Sequence, residues 1–339
     1  MRLVLTLLVA LSAAAPVQAT GISDGCSAAP TPVHSLAYGS RYTAESENRS
    51  DLDAQANRAV DEALGPVDDF LRDLARAANS ALEDPTDGPG QARCTVAQIA
   101  EWARAGALND LQTPTARLTI GSRIAGLALT LRQVAPHADP GDLSDSLAWL
   151  GGLVEAQMLF WEEDAPPGAR QGNLRAWAAL AAAAVSDLSD DPVQRGWAAW
   201  SARYVMCKAA PDGSLPQEMS RGRHALHYQL HSVAPLVVTT VLLKRKGTNL
   251  SEVCDGALHR AVAFTAADVV DGMASQAITG ERQTYFDGTR EISGFNLAWA
   301  EAYLTLRADA GLDTLVEPFR PLSHSKLGGN QTLIWSSGD

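Results

Sequence analysis

The sequence predicts an all-α protein. Three observations carry that reading. About ten segments have apolar residues at three- and four-residue spacing, and hardly any stretch alternates apolar with polar. Ala and Gly also recur inside the periodic segments (Gly121, Gly126, Gly151, Gly152, Ala178 to Ala184), where they let helices approach closely. A chain of 339 residues builds one large domain or two around a sizeable core.

Taken in order, Met1-Arg2, the apolar run Leu3 to Ala15 and the pattern Val17-Gln-Ala19 read as a secretory signal cleaved after Ala19. The run is too short to span a bilayer, which takes roughly 20 residues. The chain is therefore expected to be periplasmic or secreted. Residues 20–50, rich in Ser, Pro, Gly and Thr, read as an extended arm, and 51–339 as the helical domain. Ser50-Asp-Leu-Asp caps a helix carrying Leu52, Ala56, Val60, Leu64, Val67 and Phe70. Pro85 to Gly90 breaks it, and Cys94 to Leu108 forms a short amphipathic helix. Pro114 begins a helix reaching Pro136, and Asp142 or Ser144 caps the next, to Trp161. After the loop Pro166-Pro-Gly168, the Asn173 stretch enters an Ala-rich helix from Trp177 to Leu188. Asp190-Asp-Pro192 starts another, to Lys208. The stretch from Asp212 to Pro235 opens as a turn and runs on as a helix to Lys246; Leu236 to Leu243 is apolar, but Lys244-Arg-Lys246 closes it, and no membrane span is expected. A helix follows from Leu250, then a loop or short strand pair from Thr279 to Gly294. A long helix from Asn296 to Ala310 and a short one from Asp313 to Phe319 complete the series. Helices of similar length in series imply antiparallel hairpins, which stack as a solenoid or curl into an α/α toroid.

Charge narrows the partners. The chain carries 27 Lys and Arg against 39 Asp and Glu, a net charge of −12, which argues against nucleic acid. It argues against a polyanion as well, unless basic groups are collected in one cleft. Four cysteines in an exported chain imply two disulfides, with three possible connectivities. Cys26, in the irregular arm, is most usefully tied to Cys94 at a helix start, leaving Cys207 with Cys254; free buried thiols are the other reading.

The stretch Asp212 to Pro235 holds three of the seven histidines. His224, His227 and His231 stand at i, i+3 and i+7, on one face of a helix, with Arg221 and Arg223 before them and Tyr228 among them. One reading is a polar face with histidines solvated or partly buried; the other is an active-site helix. A metal is not expected. His227 and His231 could share Zn²⁺, but His224 lies about 10 Å along the axis from His231 and no H-E-x-x-H pattern is present. Trp177, Trp197 and Trp200 read as core residues, and Tyr285, in the late loop, as a sugar contact.

The strings Glu101-Trp-Ala-Arg-Ala-Gly-Ala-Leu108, Gly172-Asn-Leu-Arg-Ala-Trp-Ala-Ala179, Gly213-Ser-Leu-Pro-Gln-Glu218, His224-Ala-Leu-His-Tyr228 and Leu327-Gly-Gly329 resemble the periplasmic alginate (poly-mannuronate) lyases. The resemblance covers most of the chain beyond the leader. It implies an incomplete α/α toroid, a monomer without metal or cofactor, and β-elimination on an anionic polysaccharide of uronic acids. That chemistry needs donors or cations to neutralise the uronate carboxylate, a base for the C5 proton and an acid for the departing O4.

Carried over residue by residue, the resemblance places Asn173 at the amide position and Arg41 where the family has an arm lysine. The family's histidine beside the Asn falls at Leu174, its helix arginine at His224 and its helix tyrosine at His231. Two readings follow. In one, His231 transfers the protons, and His224 as imidazolium joins Asn173, Arg223 or Arg175 in neutralising the carboxylate, favouring mildly acidic pH. Arg41, Arg221, Tyr228 and Tyr285 then contact the sugar chain. In the other, the fold survives without catalysis and the protein binds polyuronate.

Overall fold

Caps and breakers set the helix boundaries in the computed structural model, which describes residues 25–336; the expected leader, 1–19, lies outside the described residues. The arm joins the domain through a parallel pair, β1 (Ser35–Leu36) with β2 (Asp110–Leu111), and through Trp102, whose Nε1 donates to the Pro30 carbonyl at 2.9 Å. Asp53, the last residue of the expected Ser50-Asp-Leu-Asp cap, caps α1 (Ala54–Glu83), accepting from the N–H groups of Gln55 and Ala56. After a turn come α2 (Gly88–Arg104), α3 (Pro114–Thr119), α4 (Gly121–Val134), α5 (Pro140–Glu163), α6 (Asn173–Ser189) and α7 (Pro192–Met206). The single helix expected from Pro114 is broken at Ile120, whose carbonyl accepts from Arg123 as well as Ile124, a 3₁₀-type tightening.

The histidine stretch is also broken. It consists of α8 (Pro216–Met219), a 3₁₀ turn at Gly222–His224, and α9 (Ala225–Arg245). Gly222, with φ of +57°, makes the corner, so His224 ends the turn before α9. Then follow α10 (Val253–Asp271), α11 (Met273–Thr279), α12 (Gly294–Leu297), α13 (Trp299–Leu306) and α14 (Ala310–Val316). The long helix expected from Asn296 is thus two shorter ones, ended by extended Arg307. The chain closes with an antiparallel pair, β3 (Ser323–His324) with β4 (Gly329–Asn330), and α15 (Gln331–Ser336). Neither strand pair was legible in a sequence without alternating runs of useful length.

Successive helices pack as hairpins (α1 with α2, α5 with α6, α6 with α7, α9 with α10), and α6 also packs on α4 and α9. The result is an incomplete α/α toroid with α6 at its centre. Every residue of α6 from Ala176 to Ala184 is at most 2% exposed, as expected of a helix that is apolar all round. Its alanines let neighbouring backbones come close. At Gly121 an added Cβ would lie 2.9 Å from the backbone nitrogen of Ala178. Gly121→Ala is therefore expected to cost about 1–3 kcal/mol by overpacking, read as a lower melting temperature; an unchanged one would show that α4 and α6 can part freely.

Both expected disulfides are present. Cys26–Cys94 pins the arm to α2, and Cys207–Cys254 joins the end of α7 to the start of α10. There Cys254, Asp255 and Gly256 all have positive φ, so regular helix begins only after them. The segment Gly222–Arg245 is long and apolar enough to cross a membrane, yet 83% of its apolar window is buried inside the protein. It is a core helix.

Candidate active site

α9 presents its imidazoles in a file. The rings of His227 and His231 stand 6.3 Å apart and nearly parallel, and His224 stands 6.5 Å from His227. Trp177 of α6 lies against His231 at 5.2 Å and against His324 of β3 at 5.7 Å, and Phe295 stacks on His324 at 3.8 Å. The late loop meets the middle of the file: Asn296 Nδ2 donates to the Tyr285 hydroxyl, which bonds His227 Nδ1, each at 3.0 Å. Arg290 approaches the same Nδ1 at 3.3 Å.

The arm closes the His224 end. The Tyr42 and Tyr228 hydroxyls hydrogen-bond each other, and the Arg221 guanidinium lies 3.8 Å from the centre of the Tyr228 ring. Arg221 donates to the carbonyls of Asn48 and Arg49 at 2.8 and 2.6 Å. His224 Nε2 donates to the Ser50 carbonyl at 3.1 Å. Asn173 stands one helical turn from Trp177 on α6, on the side that meets α9. Its backbone N–H and its Nδ2 both donate to Glu218, at 2.8 and 2.9 Å.

Burial and charge set the protonation states. Burial, with His227, Lys326, His324 and Arg123 adding repulsion, holds His231 well below the usual histidine range. Burial likewise lowers His227 and His324 to about 3. All three imidazoles are neutral at neutral pH. Lys326, in the turn between β3 and β4, is pushed down to about 7 by desolvation and by Arg123, against the pull of Asp68. Asp68 is already held by Arg123 through two bonds of 2.9 and 2.7 Å, and among the described residues no carboxylate pairs with Lys326 directly. Lys326 lines a cavity of about 460 Å³ together with Arg72, Arg76, Asn79, Phe295 and Ser325. Around this file, Asn173 Oδ1, Trp177 Nε1, Arg223 Nε, His224 Nδ1 and Thr284 Oγ1 are buried without a hydrogen-bond partner among the described residues.

The structure brings His231, His224, Asn173, Tyr228 and Tyr285 to one region, with the arm beside them, and it corrects several expectations. Arg175 is two residues from Asn173, which turns it to the opposite side of α6. It is 1% exposed, bonded to Glu162 and Ser201 and stacked on Trp200, so it cannot reach a substrate carboxylate. His224 is not a standing imidazolium. Burial and the charges of Arg290, Arg223 and Arg221 lower its pKa, and its Nε2–H is committed to the arm. That removes the reason to expect an acidic optimum from it. Arg221 is committed to arm carbonyls, Arg223 to Asp287 at 3.2 Å, and Arg41 to Asn57 and Asp61. Trp177 and Trp197 are buried as expected, whereas Trp200 is 48% exposed. Sequence reading gave no role to Tyr42, Glu218, His324 or Lys326. Glu218 did close the Gly213–Glu218 string, and for Lys326 the signal was the Leu327-Gly-Gly329 string: both glycines have positive φ and form the tight turn that seats Lys326.

Comparison with known proteins fits this geometry. A sequence profile of the alginate lyase family matches residues 105–274. A polysaccharide lyase of Stenotrophomonas maltophilia (strain K279a) is 26% identical over 299 residues, covering 85% of this chain and 84% of that one. An alginate lyase of Cobetia marina is 25% identical over 327 residues, covering 92% and 84%. Among solved structures, a histidine-to-alanine variant of alginate lyase A1-III complexed with tetrasaccharide superposes with a TM-score of 0.78 at 22% identity, over 92% of this chain and 86% of that one. The same enzyme, from Sphingomonas species A1, gives a TM-score of 0.72 over 91% and 85%. These structures share the toroid fold. The profile match spans half of the sequence, and this chain belongs to the alginate lyase family of polysaccharide lyases.

Proposed function

We propose that this protein cleaves a uronic-acid-containing polysaccharide by β-elimination, with His231 moving the protons. One observation carries the reading: a chain of net charge −12 places Lys326, with which no carboxylate pairs directly among the described residues, near the buried imidazoles of His231 and His324. An anionic sugar supplies what this cleft lacks.

In this mechanism the substrate carboxylate is neutralised by the Lys326 ammonium and an Asn173 N–H, which lets negative charge spread onto it as C5 loses its proton. The neutral His231 imidazole takes that proton. The C5–H electron pair becomes the C4–C5 double bond, the C4–O4 bond breaks, and the imidazolium returns its proton to O4. Leu174 donates nothing at the position where the family has histidine, and His224 holds the arm where the family has arginine. Lys326 supplies the missing cation. Tyr228, Tyr42 and Tyr285 flank the file as sugar contacts, and Arg41 stands at the arm's entry. The two disulfides suit an oxidising compartment, and export to the periplasm through the 1–19 leader completes the proposal.

The test is to incubate residues 20–339 with a panel of polyuronates across pH and follow the ultraviolet absorbance of an unsaturated product. Product from at least one polyuronate is expected. Saturable binding without product at any pH would make the protein a polyuronate binder instead.

A further inference from the structure

We infer that Glu218 is the positioning residue for Asn173, setting which way its amide faces the substrate. The inference rests on the role given to Asn173 above. Glu218, the third residue of α8, is 1% exposed and bridges two helices. Its Oε1 accepts from the Asn173 backbone N–H at 2.8 Å and from Ser232 Oγ of α9 at 2.7 Å, and its Oε2 accepts from Asn173 Nδ2 at 2.9 Å.

The geometry leaves little freedom. An asparagine amide has a donor end and an acceptor end of nearly equal shape, and only its partners decide which way it points. Here Glu218 claims one amide N–H, which leaves the second N–H for a ligand and Oδ1 buried without a partner. The backbone bond to the same carboxylate caps the first turn of α6, where helical N–H groups otherwise lack acceptors, so side chain and helix end are set together. Space is confined too: a Cβ on Gly172 would lie 2.7 Å from Glu218 Oε1, and the glycine lets the carboxylate come this close. Burial raises the Glu218 pKa, while the bonds from Ser232 and Asn173 oppose the rise. The three donors favour the ionised form.

A double-mutant cycle tests this. Glu218→Gln keeps the shape but replaces one acceptor oxygen by an amino group, so one of the three donors must face another donor. It is expected to lower kcat/KM on the cleaved polyuronate about 10- to 100-fold, the range for a misaligned hydrogen bond to a charged group. In an Asn173→Ala background the same substitution should cost no more than about 2-fold, because its effect passes through the missing amide. A merely structural glutamate would cost as much in both backgrounds and lower the melting temperature equally. Wild-type kcat/KM in Glu218→Gln, or full cost without Asn173, would overturn the inference. If Glu218→Gln does not fold, Ser232→Ala, which removes one bond to Oε1, is taken through the same cycle with a smaller loss expected. If the wild type makes no product, the proposed function fails separately, and the cycle is read on polyuronate affinity by calorimetry with the same two outcomes.

Discussion

Replacing His231 by alanine is expected to lower kcat by about 10²- to 10⁴-fold, the span of general acid–base catalysis, while polyuronate affinity stays nearly unchanged. The separation follows from where the group acts. Proton transfer is a transition-state interaction, and its removal leaves ground-state contacts in place. Burial and neighbouring cations keep His231 unprotonated, so it is ready as a base across about pH 5–8, where an ordinary histidine would titrate. No acid limb from His231 is therefore expected in kcat/KM over that range. The variant is checked by turnover for kcat and by calorimetry for affinity. Undiminished turnover would reject the mechanism and move attention to the Tyr285–His227 pair, the other hydrogen-bonded proton carrier in the file.

Lys326→Met should lower kcat/KM by about 10²- to 10³-fold, comparable to losing one electrostatic donor to a developing anion. The pH dependence distinguishes this from loss of packing. Lys326 is a cation below its pKa of about 7 and neutral above it, so in the free enzyme kcat/KM should fall as pH rises through about 7. Lys326→Arg keeps its charge throughout and should remove that alkaline limb. Stability should move the opposite way. Between about 7 and the ordinary lysine value of 10.5 the unfolded chain holds a proton that the folded chain lacks, so stability rises with pH across that window. Below it the folded protein carries a partly desolvated ammonium at a cost. Lys326→Met should thus melt at a higher temperature at neutral pH while being the poorer enzyme. A variant that loses stability and activity together would show that Lys326 is structural.

Helical periodicity, N-cap chemistry and Gly–Pro punctuation act over a few residues, and all-α architecture was legible from them. Boundaries failed where tertiary contact took over: Ile120, where the start of α4 is pressed against α6, and Gly222, whose positive φ turns the chain before α9. The cysteines were few enough, and one of them far enough into the arm, for the pairing to be argued. The histidine file was legible in part: His227 and His231, one turn apart, share a face wherever α9 goes, whereas His224 joins them from the 3₁₀ turn before it.

What each charge does was decided by the fold. Arg175 and Asn173 lie two residues apart, yet α6 sends one into the α5–α7 interface and the other toward α9. His224 looked like a substitute cation, until its own burial and the charges of Arg290, Arg223 and Arg221 lowered its pKa against the pull of the Ser50 carbonyl. Lys326 lies far along the chain from His231 and reaches it only because the β3–β4 turn docks on α1 and α4. The sequence alone determined the helical class and the shared face of His227 and His231, since local geometry specifies them, while the disulfide pairs it favoured were fixed by the fold. Only the tertiary structure decided that Lys326 stands near the imidazoles without a carboxylate partner among the described residues, which imidazoles stay neutral and which amide is clamped, because desolvation and long-range pairing belong to the folded chain.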